Sequence, residues 1–399
     1  MLFFAIVYVV EGIGQARVGI IFQPLSYYLK VNGWSPVEVT AYFAVFNFPW
    51  VIKPAFGLVS DFVPLLGYRR KSYLILSSIC AAGAYAWISV LTKPVEFAFI
   101  LVLTSYAMAT ASTLCGALLA ENGRTFRQSS MFVGQQWLWF YVAIMASSFV
   151  GGVLVQNLSP VLALQAAAGI AALAPIAVIL ASLLLLNEKK VRVNRAELQR
   201  TLRSTMGALE SRKLLVVALF LFLYSFAPGF GTPLYYYMTD SLGFTQAYIG
   251  LLGSIASAGW IAGALMHRWL LAKMSSKTLL YVSIVLGTLA TASFLLLADE
   301  ITAALVNFIS GMAAMIATIA SLTLAAQYCP RRAEGFAFAG LMSVMNLAEL
   351  CSNYAGAWLY ERVFDSRLGP LIVVSAASTA VAFVLVPLLR LDADTDPRA

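Results

Sequence analysis

The stretch FPWVIKPAFGLVSDFVPLLGYRRKSYLIL (Phe48–Leu76) decides how this chain is read. An apolar run carries one lysine, Lys53, between Pro49 and Pro54. It ends at Asp61, turns, and meets the basic cluster Arg69, Arg70, Lys71. Another long apolar run follows at once. In a bilayer this pattern is one helix leaving the hydrocarbon on a cytoplasmic, basic side and the next one entering. Lys53 then stands where lipid would otherwise be.

The composition sets the class. Of 399 residues, 61% are hydrophobic and only 11% charged. A soluble domain is nearer half apolar and a quarter charged. Charges are absent from stretches of about 20 residues, the length of a membrane-crossing helix. Backbone groups in lipid must be paired internally, so these stretches are expected to be helical. The alternation of barrel strands is missing.

Twelve spans are expected, at roughly Leu2–Leu29, Val37–Ser60, Ser72–Leu91, Phe97–Leu119, Ser129–Val155, Val161–Leu186, Leu214–Tyr237, Gln246–Leu271, Thr278–Leu297, Ile301–Gln327, Phe336–Tyr360 and Leu371–Leu389. The first carries Glu11 and Arg17 and lacks a basic leader, unlike a signal peptide. With both termini in the cytoplasm, 20 of the 26 lysines and arginines face that side. Four face outward (Lys30, Lys93, Arg362, Arg367), and Arg17 and Lys53 lie inside spans. The positive-inside rule favours this topology. It also accounts for the net charge of +8 through contact with anionic lipid, with no nucleic acid as partner.

The chain divides into a six-helix bundle over residues 1–186, a cytoplasmic linker over 187–213, and a second six-helix bundle with a short tail over 214–399. The bundles look like a parallel repeat. Gln23–Leu29 (QPLSYYL) parallels Thr232–Met238 (TPLYYYM), Trp50–Lys53 parallels Trp260–Gly263, and Gly33-Trp34-Ser35 parallels Gly243-Phe244-Thr245, at a nearly constant offset. Six plus six helices in parallel repeat is the all-α major facilitator arrangement, with a site near the midplane between the bundles.

Several chemistries find no support. Cys80, Cys115, Cys329 and Cys351 have no metal-ligand spacing, and His267 is the one histidine. There is no phosphate-binding glycine loop, so neither an enzyme nor a cofactor protein is expected.

Function is sought in the buried charges. Glu11, Arg17, Lys53 and Glu349 each cost about 2.5–3.5 kcal/mol at the bilayer centre unless paired or facing water. At about 1.5 Å per residue, Glu11 and Lys53 reach similar depths, and Arg17 and Glu349 both approach the midplane. Arg17 and Lys53 are expected to bind substrate negative charge, Glu11 to link to protons, and Glu349 to pair with Lys53 or Arg17 across the bundles. The competing account is that the four charges only lock helices together. Gln135, Gln136, Trp137 and Trp139 offer hydrogen bonding and stacking to a flat heterocycle, with helix packing as the favoured competing use of the tryptophans. Tyr224 stands on a helix that Pro228 and Gly229 are expected to break. Asp61, Arg69, Arg70, Glu121, Arg124, Arg331 and Glu334 form the expected gating set at the span ends. Asp61 is expected to take Arg69 or Arg70 and to face the start of the eleventh span.

Pro49–Leu76 resembles the signature of the folate–biopterin transporter family, a branch of the major facilitator superfamily. Val7–Arg17 (VYVVEGIGQAR) is similar to that family's first helix, and Cys329–Asn346 (CPRRAEGFAFAGLMSVMN) to its loop and helix motif between the tenth and eleventh spans. The resemblance implies a twelve-helix protein of the inner or plasma membrane that takes up folates or related pterins with protons. One departure stands out. The family commonly carries an acid five positions before the glutamate matched by Glu121, where this chain has Gly116. A facilitator-fold carrier or exporter of an unrelated solute, and a non-transporting receptor or assembly factor, are the alternatives.

Overall fold

The computed structural model of the chain describes residues 1–126, 129–191, 211–329 and 334–389. It is all-helical, in two runs. The first comprises α1 (Leu2–Gly14), α2 (Phe22–Val31), α3 (Pro36–Val51), α4 (Lys53–Phe62), α5 (Lys71–Ile88), α6 (Pro94–Thr125), α7 (Ser129–Asn157) and α8 (Pro160–Leu184). The second comprises α9 (Arg212–Ser225), α10 (Gly231–Asp240), α11 (Gln246–Met266), α12 (Ser276–Ser293), α13 (Glu300–Tyr328), α14 (Glu334–Trp358) and α15 (Leu368–Leu385). Among the described residues, eight helical segments are long and apolar enough to cross a bilayer.

Helices outnumber the expected spans because three spans are built of two helices each. Pro54 has no N–H to give α3, so the second span kinks at Ile52, and α4 starts at Lys53. The seventh breaks between Ser225 and Gly231, around Pro228 and Gly229. The first, expected as one helix, breaks at Gln15–Ile21. There Gln15 turns extended, the Tyr85 hydroxyl donates to the Gly14 carbonyl, and the Ile20 N–H returns to the Ile13 carbonyl at 3.0 Å. Arg17 sits in that break.

The repeat is visible in the turns. Gly33 and Gly243 both adopt positive φ (85° and 64°), a conformation that favours glycine. Two residues on, Ser35 and Thr245 each cap the next helix through a side-chain oxygen. Three of the buried cores segregate in the same way: one draws on buried residues from Phe3 to Ala181 and two on residues from Leu214 to Leu389, while a small fourth one, Tyr141 and Ile144 with Met315, joins the runs.

The two runs meet most closely where α7 packs along α11. Gly152 and Gly250 let the backbones touch: a Cβ on Gly152 would lie 2.8 Å from the Gly250 Cα. Small residues permit such contact where lipid supplies no hydrophobic drive. Nearby, Gln23 Nε2 donates to the Gln246 carbonyl at 2.7 Å, and the Gln246 N–H donates to Gln156 Oε1 at 3.0 Å. Lys30 pairs with Asp240, the Tyr236 hydroxyl donates to the Trp34 carbonyl, and Glu361 accepts the Val37 N–H at 3.2 Å. All these contacts join the first run to the second, and all lie on the face away from the basic loops.

Candidate functional site: a cavity between the two helix runs

Beneath this clasp lies a cavity of about 780 Å³, walled by both runs. That is within the 300–1,000 Å³ usual for small-molecule sites. It extends to Gln136 and Leu322, about two turns from the basic-face ends of α7 and α13.

The broken spans deliver its charges. Arg17, in the first break, reaches across to Glu349 of α14 with Nη1 and Oε2 3.0 Å apart. Lys53, the first residue of α4, donates to Ser112 Oγ at 3.1 Å, and Ser112 donates to Glu11 Oε1 at 2.9 Å. Lys53 and Glu11 are therefore joined through a hydroxyl, and Glu349 takes Arg17 as its partner. Both cations also stand over the Trp50 ring, Lys53 Nζ at 4.6 Å and Arg17 Cζ at 5.2 Å from its centroid. Such contacts contribute about 2 kcal/mol or more when desolvated. Asn346 Nδ2 donates to the Trp50 carbonyl at 2.8 Å from the other run.

An aromatic stack forms a second wall. The Tyr141 ring lies 4.5 Å from that of Trp260 and 6.0 Å from that of Trp137, nearly parallel to both. Tyr224 also lines the cavity and meets Ser283 at 3.0 Å. Gln136 is in the wall, whereas Gln135 and Trp139 are not among the lining residues. Trp139 packs instead against the core of the first run. Each helical step turns a side chain by about 100°, so the face carrying Trp137, Tyr141 and Ile144 leaves Trp139 on another side. The sequence does not single out Trp50, Tyr141, Trp260 or Ser112 as site residues. A signal for two of them is present in it, since Trp50 and Trp260 are repeat-related.

Of the residues expected to gate, Asp61, Arg69, Arg70 and Glu121 lie at the basic face. Arg70 pairs with Asp61 at 3.8 Å and with Glu121. Both contacts stay within the first run, whereas Asp61 was expected to address the second. The Arg69, Arg70 and Lys71 N–H groups at the start of α5 donate to the Glu188 carboxylate at 3.1, 3.2 and 2.8 Å. That carboxylate occupies the favourable end of the helix dipole and fastens the start of the linker to the basic loop. Arg331 and the side chains of Arg124 and Glu334 lie outside the described residues, as does most of the linker.

Comparison with known proteins bears on the family and the fold. The model of the BT1 family matches residues 17–395. A folate-biopterin transporter of Synechocystis sp. is 27% identical, over 96% of this chain and 80% of its own. A probable folate-biopterin transporter 6 of Arabidopsis thaliana is 25% identical over 98% and 82%. The folate transporter 2 of Plasmodium falciparum is 24% identical over 89% and 81%. Among solved structures, a D-xylose-proton symporter superposes with a TM-score of 0.75 at 12% identity, covering 96% of both chains. The nucleoside transporter NupG gives 0.68 at 14% identity, covering 98% of both chains. Those neighbours are major facilitator transporters, and their fold is the fold seen here. This chain, an integral membrane transporter and not an enzyme, belongs to the BT1 family of folate–biopterin transporters.

Proposed function

We propose that the chain is a secondary active transporter that moves folate, a pterin or a related anionic organic solute by alternating access, coupled to protons. The observation that carries this reading is the pair of cations, Arg17 and Lys53, held over one tryptophan ring in a cavity between the helix runs. A tryptophan with cations above it suits a flat ring bearing a carboxylate. The names of the relatives point the same way.

In this reading the broken helices count as single crossings, giving twelve spans in bundles over 1–186 and 214–399, with 187–213 between them. The basic face and both termini are cytoplasmic, in the inner or plasma membrane. The clasp closes the outer face, so the structure corresponds to the inward-facing stage of the cycle. Glu11 is the proton-linked acid, Arg17 and Lys53 bind the solute, and Glu349 holds Arg17 when the solute is absent. Asp61, Arg70 and Glu121 brace the inner gate.

Uptake of labelled folate into proteoliposomes, with and without an imposed pH gradient, tests the reading. Saturable uptake that the gradient raises supports it. No uptake, with the protein folded, overturns folate as the solute. One observation favours a second reading, transport of an unrelated solute. Gly116 replaces the acid common in the family, and the space around it is open, with no atom within 4 Å of an added Cβ. A thermal-shift screen of the purified protein against folates, pterins and unrelated anions separates the two.

A further inference from the structure

The cavity does not follow the symmetry of the repeat. In the second run it reaches α12 and α15, which line it with Gly287, Thr291 and Thr379. A Cβ on Gly287 would lie 3.7 Å from Thr379 Cγ2, so this recess ends where the two helices meet. Tyr224 of α9 reaches the same place: its hydroxyl lies 3.0 Å from Ser283, one turn before Gly287. Ser225 follows it in the lining, and α13, packed along α12, adds Thr318 among small residues. By chain order α5 and α8 hold the matching places in the first run, and neither lines the cavity. The space they share with α1 and α6 is a separate one of about 10 Å³. That is room for one water at most.

The recess carries no charge. Both cations of the cavity, Arg17 and Lys53, come from the first run. The charged residue that the second run adds to the lining, Glu349 of α14, is paired with Arg17. The lining residues of α9, α12, α13 and α15 are all uncharged. A carboxylate placed among them would lack a counter-ion, at high cost.

A neutral ring with a polar edge does fit. Thr318 gives its proton to the Ala314 carbonyl at 2.9 Å, and Thr379 gives its proton to the Ser375 carbonyl at 3.1 Å. Their oxygens keep lone pairs to accept N–H groups. Ser225 and Thr291 have no hydrogen-bond partner among the described residues, so each can donate or accept. Gly287, with no side chain, lets a flat group approach the backbone closely.

From these residues we infer that the recess seats the uncharged ring of a two-part solute, whose carboxylate end lies at Arg17 and Lys53. The inference rests on the transport reading and narrows its substrate class. A small anion leaves the recess unused, and an uncharged ring alone leaves the two cations unused. A solute with both parts, as folate has and unmodified biopterin has not, is held by both runs at once. A site built to hydrogen-bond one part discriminates strongly against the analogue that lacks it.

Gly287 is the residue to vary, because the recess can be filled from it. Gly287→Leu occupies the space toward Thr379, and Thr318→Val keeps the volume while removing one oxygen. Equilibrium binding to the purified full chain is measured by calorimetry for folate and for p-aminobenzoyl-glutamate, which has the carboxylates without the pterin. The wild type is expected to bind folate at least about tenfold more tightly than the fragment. Gly287→Leu brings folate down to the level of the fragment and leaves the fragment unchanged. Thr318→Val does the same in part, lowering folate about fivefold. Arg17→Lys, at the other end, lowers both ligands. A cooperative melt certifies that each variant is folded; where Gly287→Leu fails this, Thr318→Val carries the test. A folded variant that keeps the full preference for folate, or that weakens both ligands equally, overturns the inference. A wild type that binds folate and the fragment alike also overturns it and leaves the transporter standing. A wild type that binds neither overturns it together with folate as the solute.

Discussion

Replacing Gly250 by alanine tests whether closure of the α7–α11 seam sets the resting state. A methyl group there meets the Ser148 carbonyl oxygen at 2.5 Å and the Gly152 Cα at 2.7 Å. Carbon atoms settle at about 3.5–4.0 Å, so the helices must part by about 1 Å. Both obstacles are backbone, and no side-chain rotation relieves them. Overpacking of this kind costs about 1–3 kcal/mol. The cost falls on the state in which the seam is shut, so that state loses about 5–150-fold against one with the seam open. The reporter is a cysteine at Ser26, which lines the cavity near the clasp, in a background lacking Cys80, Cys115, Cys329 and Cys351. Gly250→Ala is expected to raise its labelling by an impermeant maleimide from the face opposite the basic loops, and to slow net transport. Unchanged labelling with normal transport, in Gly250→Ala and in the double variant with Gly152→Ala, refutes the reasoning.

Three further outcomes are expected. Asp240→Asn breaks the pair with Lys30, whose side chains are 58% and 18% exposed, so about 0.2–1 kcal/mol is lost. The same labelling then rises by up to about fivefold, and the swap of Lys30→Asp with Asp240→Lys restores it; failure of the swap removes the clasp as a cause. Glu11→Gln abolishes solute accumulation driven by a pH gradient, and accumulation that persists with its normal pH dependence shows that another group is coupled. Arg17→Lys keeps the charge but loses the two-pronged geometry, so affinity for a carboxylate ligand falls about tenfold. An equal loss for a matched ligand without the carboxylate places Arg17 in structure rather than recognition.

What is legible in the sequence follows from what lipid demands. Long uncharged stretches must be helices, so the spans can be drawn, and Pro228 with Gly229 marks the break in the seventh. The break in the first span is not legible. No proline lies in Gln15–Ile21, and the turn depends on the Tyr85 hydroxyl arriving from α5. Depth is legible from residue counts, which bring Arg17 and Glu349 to a common level, where they pair at 3.0 Å. Azimuth is not. A helix apolar on every side gives no periodicity to orient it, and so Gln135 and Trp139 cannot be told apart from Gln136 and Trp137. The same limit hides Ser112, since a serine between a lysine and a glutamate on two other helices leaves no pattern in its own. Charge is the one property that fixes azimuth in such a chain, because an ion in a span must turn toward protein or water. The cavity is therefore where the buried charges of the broken spans converge.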